Sequence, residues 1–454
     1  MSKVNQKTIL HDFFESKDIA ILVYFRIVFG ILTLWWSLRF FIDDPAFGSI
    51  ARNWIDPTFH FSYYGFDWIK PLPGDGMYVH FAVLAILSVC ITLGFKYRIT
   101  TALFFVGFTY VFLLDQSHWS NSYYIILLIS FLMILVPAHR SFSIDVWKNP
   151  KIQSNVTPAW SVWILRFQIG AVYFFGGLAK LNSDWLNGEP LRTLLATRTH
   201  FPLIGEFFRE EWLVLLFSYG ALFIDLLAVP FLLWHRTRIF AFGIIVTFHV
   251  LNSQLFVIGV FPWFMIFATA LFFAPNWPRI FTKQHSTPPN KKYLNIGTSL
   301  TKNQKVLIAI LLIFIIMQIS LPLRHYLYSG NASWTEEGRI FAWQMIIRHK
   351  VVDNTFYATD PNTGKTWQVD PLDDLSIHQQ WRMSFLPGMI LQYSHYLADR
   401  INQQEGLDNV EIRVESMVSL NGRSPQPMIN STVNLAEEPQ TLLPKKWILP
   451  LTEQ

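Results

Sequence analysis

The sequence predicts a polytopic α-helical membrane protein with about nine transmembrane helices, followed by a C-terminal α+β extramembrane domain. Three observations predict it. Hydrophobic residues make up 52% of the chain and charged residues only 15%. A soluble domain carries about 25% charged residues, so this chain has too few to wet its own surface. Apolar runs close to the roughly 20 residues of a membrane helix recur up to residue 323. Beyond Pro322 the composition turns polar and short alternating runs begin. The domains are therefore 1–323 in the membrane and 324–454 on its outer face.

The candidate spans are 18–40, 77–95, 100–115, 122–137, 158–180, 211–234, 239–254, 256–273 and 305–323. The third, fourth and seventh are short, and 239–254 with 256–273 could form one broken hairpin. The first apolar run is long enough to span, which favours a membrane helix over a cleaved leader. With a cytoplasmic N-terminus, the loops falling inside carry Lys96 and Arg98, then Arg140, Lys148 and Lys151. Further along they carry Arg236 and Arg238, then Arg279, Lys283, Lys291, Lys292, Lys302 and Lys305. Loops falling outside are acidic (Asp43, Asp44, Asp56, Asp67), uncharged at 116–121, or mixed at 181–210. That asymmetry follows the positive-inside rule. It accounts for the net charge of +5 without a nucleic-acid partner. The single cysteine, Cys90, excludes an intramolecular disulfide.

The outer region contains the strand-like runs KTWQVD and NVEIRVESMVSL, the latter from Asn409. Residues 385–400, FLPGMILQYSHYLADR, read as an amphipathic helix. No repeat, phosphate-binding glycine loop or paired metal-ligand spacing is present in the sequence.

Within the apolar region, polar residues gather at one depth, facing the outer domain. Lys180 closes the fifth span, and Asn121 and Ser122 open the fourth. His249, Asn252 and Gln254 end the seventh, and Arg324 and His325 follow the ninth. Each has an ordinary explanation taken alone. A lysine at a helix end snorkels, a buried histidine is satisfied in a core, and Asn or Gln bonds across helices. Their convergence points to a functional site without naming a reaction.

Two stretches are more specific: FFGGLAKLNSDW at 174–185 and TFHVLNSQLFVIGVFPWFMIFATALFFAPNWPR at 247–279. A third, LRHYLYSGNASWTEEGRIFAWQM, covers 323–345, and MVSLNGRSPQP and KKWILPL follow. In order and spacing these resemble the vitamin K-dependent gamma-glutamyl carboxylase family over about residues 15–450. The resemblance implies a membrane-embedded lyase with coupled epoxidase activity, using vitamin K hydroquinone (reduced phylloquinone or menaquinone), O2 and CO2, without a metal. The oxygenated quinone becomes a strong base, removes a γ-proton from peptide-bound glutamate, and the carbanion captures CO2. The chemistry is sensible, because side-chain bases work best near their own pKa, far from what a carbon acid requires.

Residue by residue, the resemblance assigns Lys180 as the base for the hydroquinone. Burial disfavours the charged form of a lysine, so a neutral amine is expected there. Asn121 is assigned to orient the ring or CO2, and His249 and His325 to hydrogen bonding or proton relay. Asn252, Gln254 and Ser122 are assigned to the cofactor pocket. The segment Trp334–Trp343, with Arg339, is assigned to the glutamate-containing peptide or protein.

Departures are specific. Ser122 stands where the animal enzymes carry a histidine linked to carboxylation, Ala179 where they carry a lysine, and Arg339 where they carry a tyrosine. The animal cysteine pair and long C-terminal extension are absent. The chain resembles a bacterial homologue, which implies the inner membrane with the C-terminal domain outside. Three readings stay open: a full carboxylase, a hydroquinone epoxidase with weak or lost carboxylation, and a non-enzymatic quinone- or lipid-binding protein.

Overall fold

The structure is a computed structural model and describes residues 12–281 and 300–452. All the anticipated apolar intervals are helical in it. They form α1 (Ala20–Leu38), α2 (Gly76–Leu93), α3 (Tyr97–Leu114), α4 (Asn121–Leu135) and α5 (Ala159–Ala179). Then come α6 (Glu211–Leu233), α7 (Arg238–Leu255), α8 (Phe261–Thr269) and α9 (Lys302–Leu323). Among the described residues, seven of these are long and apolar enough to cross a membrane, while α4 and α8 are shorter. The expectation for 256–273 is corrected at its start: helix begins only at Phe261, just ahead of Pro262, a residue tolerated at a helix N-terminus and disfavoured inside one. Lys283, Lys291 and Lys292 of the basic loop lie outside the described residues.

The membrane core is aromatic. Trp36 stacks on Phe81 at 5.7 Å and meets Phe108 at 4.7 Å and Tyr123 at 5.2 Å, so α1, α2, α3 and α4 share one packing centre. Arg26 on α1 is buried, and its guanidinium donates to the carbonyls of Ala138, Ser141 and Phe142. Those acceptors offset part of the cost of burying a cation.

Beyond α9 the chain builds an antiparallel sheet. With β1 (Ser16–Asp18) and β2 (Val156–Pro158) forming a small separate ladder, this sheet comprises β3 (Lys350–Thr359), β4 (Thr366–Val369), β5 (Glu411–Leu420) and β6 (Gln426–Pro427). The strand order is β4-β3-β5-β6. Ile412, Val414, Ser416, Val418 and Leu420 are buried in alternation along β5. That face packs on α11 (Pro387–Glu405), which buries Ile390, Tyr393, Leu397 and Ile401. Pro387 starts that helix and Gly406, at φ 65°, ends it, the usual asymmetry of helix ends. The short α10 (Ile377–Ser384) has a capping box from Ser376 and Gln379. Gln379 also donates to Asp115 Oδ2 (2.9 Å) and Phe59 O (2.7 Å), which docks α10 onto the loop ahead of α4.

Candidate active site

The glycine pair of FFGGLAK determines where Lys180 sits. A Cβ on Gly177 would lie 2.7 Å from Leu226 Cδ2 and 3.0 Å from Leu226 N, so α5 reaches the backbone of α6 only because this residue is glycine. The close approach brings Lys180, the C-cap of α5, against Asp225 of α6. Lys180 Nζ donates to Asp225 Oδ2 at 2.7 Å and to Gly176 O at 3.0 Å, and both side chains are about 95% buried. The Trp185 ring lies 5.1 Å from the same nitrogen. Trp185 in turn donates its Nε1–H to Ser218 O at 2.9 Å, and Ser218 Oγ returns a bond to Trp185 O. Ser218 and Asp225 are seven residues apart, two turns on one face of α6. That face holds the whole lysine segment.

Lys180 is thus one half of a buried pair. Asp225 was missed, although an ionisable residue inside a membrane segment is by default a functional candidate.

A cavity of about 2100 Å³ begins at this dyad. Asn121, Ser122, His249, Asn252 and Arg339 share its wall with Lys180. Asn121 Oδ1 is buried there without a hydrogen-bond partner. Ser122 Oγ donates to Ile258 O at 3.1 Å. His249 Nε2 lies 2.9 Å from Tyr173 Oη, which lies 2.9 Å from Thr269 Oγ1. With the Thr269 hydroxyl proton on Met265 O at 2.7 Å, the arrangement that satisfies all three bonds at once has Tyr173 donating to Thr269 and accepting from His249. The chain of donors assigns the His249 proton to Nε2 and leaves Nδ1 as an acceptor. Between these polar groups the wall along α6 and α7 is apolar, with Leu216, Ile224, Ile244 and Leu251, and Leu216 and Ile244 are more than half exposed.

Four residues from the sequence assignment lie elsewhere. Gln254 is exposed and bonds only Ser253 Oγ, at 3.4 Å. His325 Nδ1 lies 2.8 Å from Pro322 O, at the end of α9, while its neighbour Arg324 reaches the cavity. Trp334 is fully buried in the outer core, with Nε1 donating to Leu449 O at 2.8 Å. Trp343 is fully buried against Tyr124, ring centroids 4.8 Å apart. None of the four lines the cavity.

Toward the outer domain the wall becomes cationic. Glu336 Oε1 contacts Arg348 Nε, Lys350 Nζ (2.9 Å) and Arg339 Nη1 (3.5 Å). Burial alone would raise the Glu336 carboxyl, but Arg348, Lys350 and Arg339 pull it down to about 2. Burial brings Lys350 down to about 8 despite the Glu336 carboxylate, and Arg339 down to about 9. The Phe385 ring takes Arg348 at 4.8 Å and Arg382 at 5.5 Å. Arg382 Nε has no acceptor. The pocket therefore holds more guanidinium than Glu336 can neutralise. The segment around it is conformationally unusual: Glu336, Phe341, Trp343 and Ile346 all have positive φ, which costs on the order of 1–3 kcal/mol per non-glycine residue and clusters at functional sites. Among the described residues no group of His, Cys, Asp or Glu could hold a metal ion.

Residues 14–277 match the HTTM domain family, and residues 303–454 match the vitamin K-dependent gamma-carboxylase, lumenal domain. The chain belongs to the vitamin K-dependent gamma-carboxylase family. No solved structure matches it. Membership makes it an integral membrane protein of a vitamin K-linked family, and the cavity bridges both matched regions of this carboxylase-family chain.

Proposed function

We propose that this protein is a vitamin K-dependent gamma-carboxylase that also forms the vitamin K epoxide. The observation that carries the reading is the buried Lys180–Asp225 dyad at the head of a cavity ending in a cationic pocket. The residues fit a lipid quinone. Leu216, Ile224, Ile244 and Leu251 make much of the α6–α7 wall apolar, and the unpartnered Asn121 Oδ1 and the His249 acceptor supply the few polar contacts such a head group needs. When bound, the reduced quinone supplies, on reaction with O2, a base stronger than any side chain.

The chain's own part is proton management and positioning. In a site of low polarity, the ammonium–carboxylate and amine–acid forms of the dyad differ by one proton crossing 2.7 Å. In the amine form Lys180 Nζ offers a lone pair to the cavity, and Asp225 stores the proton meanwhile. His249 accepts at Nδ1, backed by Tyr173 and Thr269. The apolar walls keep bulk water from the reacting centre. Arg348, Arg382 and Arg339 hold the carboxylate of a glutamate-containing peptide. The excess basic charge of the inner loops supports an N-terminus in the cytoplasm and an outer domain beyond the bacterial inner membrane.

A second reading is favoured by Ser122. Its hydroxyl proton is committed to Ile258 O, and it cannot act as a histidine would. That supports an epoxidase with weak carboxylation.

The test is epoxide formation from reduced vitamin K by purified wild-type and Lys180→Ala protein, with labelled bicarbonate and a short glutamate peptide. Epoxide and label both lost with Lys180 support the carboxylase. Epoxide without label supports the second reading. No epoxide from folded wild-type protein leaves a quinone- or lipid-binding protein and defeats both.

A further inference from the structure

The MVSLNGR stretch ends β5 in the outer domain and has no role in the site so far. It reaches the lysine segment directly. Arg423 donates Nη2–H to Asp184 Oδ1 at 2.6 Å and Nη1–H to Asp184 Oδ2 at 2.8 Å, a two-pronged pairing. Asn421 Nδ2 adds a third bond to Asp184 Oδ2 at 2.7 Å. Asp184 is the aspartate of KLNSDW, four residues after Lys180. Between them, Asn182 Oδ1 accepts from Trp185 N (3.0 Å) and its amide donates to Ala179 O (2.8 Å). The segment from Ala179 to Trp185 is thus one braced unit.

The other end of the clamp leads to the cationic pocket. Asn421 Oδ1 accepts from His349 N at 2.8 Å, and Asn421 N donates to His349 O at 2.8 Å. His349 stands between Arg348 and Lys350, both on Glu336. Asn421 adopts this position at φ 52°, a left-handed conformation that asparagine tolerates better than most residues. One side chain therefore bonds His349, which stands between the pocket cations Arg348 and Lys350, and Asp184, four residues after the base. Continuous hydrogen-bonded chains of this kind are a physical route for coupling between sites.

Resting on the proposed function, we infer that the Asp184–Asn421–Arg423 clamp is a positioning device that holds Lys180 in register with the cationic pocket. It ties deprotonation in the membrane to occupancy of the outer pocket by a carboxylate. Asp184 and Arg423 touch neither reactant, so they are positioning residues.

The experiment compares wild-type protein with Asp184→Asn and, should that variant fold poorly, Arg423→Lys, which keeps the charge and loses the second prong. Two quantities are read with a short glutamate peptide as probe: the ratio of carboxyl label to epoxide, and hydrogen exchange across 179–187. The expected result is epoxide formation within about twofold of wild type and label incorporation down at least about tenfold, with peptide KM within about twofold. The peptide should slow exchange across 179–187 in wild type and not in the variants. An unchanged label-to-epoxide ratio, or an equal fall in both rates, overturns the inference. So does exchange in wild type that ignores the peptide, a result that stands whether or not turnover is seen. Absence of epoxide from wild type defeats the proposed function instead, and the exchange arm still decides the clamp.

Discussion

Lys180 Nζ and Asp225 Oδ2 lie 2.7 Å apart with both side chains buried, so neither can be altered without stranding the other. Removing one partner of a buried pair costs about 3–5 kcal/mol, whereas replacing both with apolar residues of similar volume is often neutral. Lys180→Ala is therefore expected to lose both epoxide formation and several degrees of melting temperature. The double variant Lys180→Met with Asp225→Leu should regain the melting temperature and stay inactive. Activity in the double variant would remove the dyad from the mechanism.

Tyr173→Phe removes the acceptor that fixes the His249 proton at Nε2. A net loss of about 1 kcal/mol of stability is expected from one hydrogen bond. Turnover should drop far more, by roughly tenfold or beyond, because the ring is free to present the wrong nitrogen. Equal small losses in both would mean that the tautomer has no bearing on turnover.

Gly177→Ala places a methyl group 3.0 Å from Leu226 N. Backbone cannot swing aside as a side chain does, so α5 and α6 must separate, at a cost of about 1–3 kcal/mol. Epoxide formation should fall with it, whereas Gly388→Ala on α11, where nothing lies within 4 Å, should leave it unaltered. Full activity in Gly177→Ala would show that the dyad tolerates a wider helix spacing.

Arg382→Gln keeps much of the side chain's bulk and removes the guanidinium that lacks an acceptor at Nε. Hydrogen bonds to charged groups contribute about 1.5–3 kcal/mol. The KM for a glutamate peptide should therefore rise roughly ten- to a hundredfold, while peptide-free epoxide formation holds. Peptide KM unchanged in this variant would place the carboxylate elsewhere.

Acid should loosen the seam between α10 and the loop before α4. There the His118 and His378 rings stack with centroids 4.9 Å apart and planes 5° apart. Burial, aided by neighbouring cations, holds His118 down at about 4 and His378 at about 3, below the ordinary 6.5. His60, Arg382 and Arg52 add positive charge around the pair. Between about 4 and 6.5 the unfolded chain binds protons that the folded chain refuses. Stability is therefore full above 6.5 and is lost as pH falls through that window, by up to about 1.4 kcal/mol per pH unit for each ring. His378→Gln should flatten the melting-temperature profile between pH 7.5 and 5. An identical profile in that variant would assign the acid sensitivity to other groups.

The helices were legible because apolar length is a strong local signal, and α11 because its buried residues recur at helical spacing. Lys180, Asn121, Ser122, His249 and Asn252 were legible as one depth. Gln254 shared that depth and still misled, since depth does not say which way a side chain faces around the helix. Trp334 and Trp343 matched a functional segment, yet a tryptophan beside a site serves as readily to wall it as to touch the ligand. The cationic pocket was hidden because its members come from 336–350 and from α10, joined only by tertiary folding. Asp225 was visible as a single acid among leucines and valines. Its pairing with Lys180, forty-five positions away, was not.

The cavity is lined by Leu216 and Ile244 of the apolar helices and also by Leu442, Leu443 and Lys445 of the outer domain. On the proposed function, a quinone confined to two-dimensional diffusion in a bilayer and a peptide dissolved in three dimensions would meet at a single amine. Neither has to cross a phase boundary to do so. For such a site, the concentration that governs one reactant is an amount per lipid and the other an amount per litre. Dilution into detergent micelles then alters the first and leaves the second untouched.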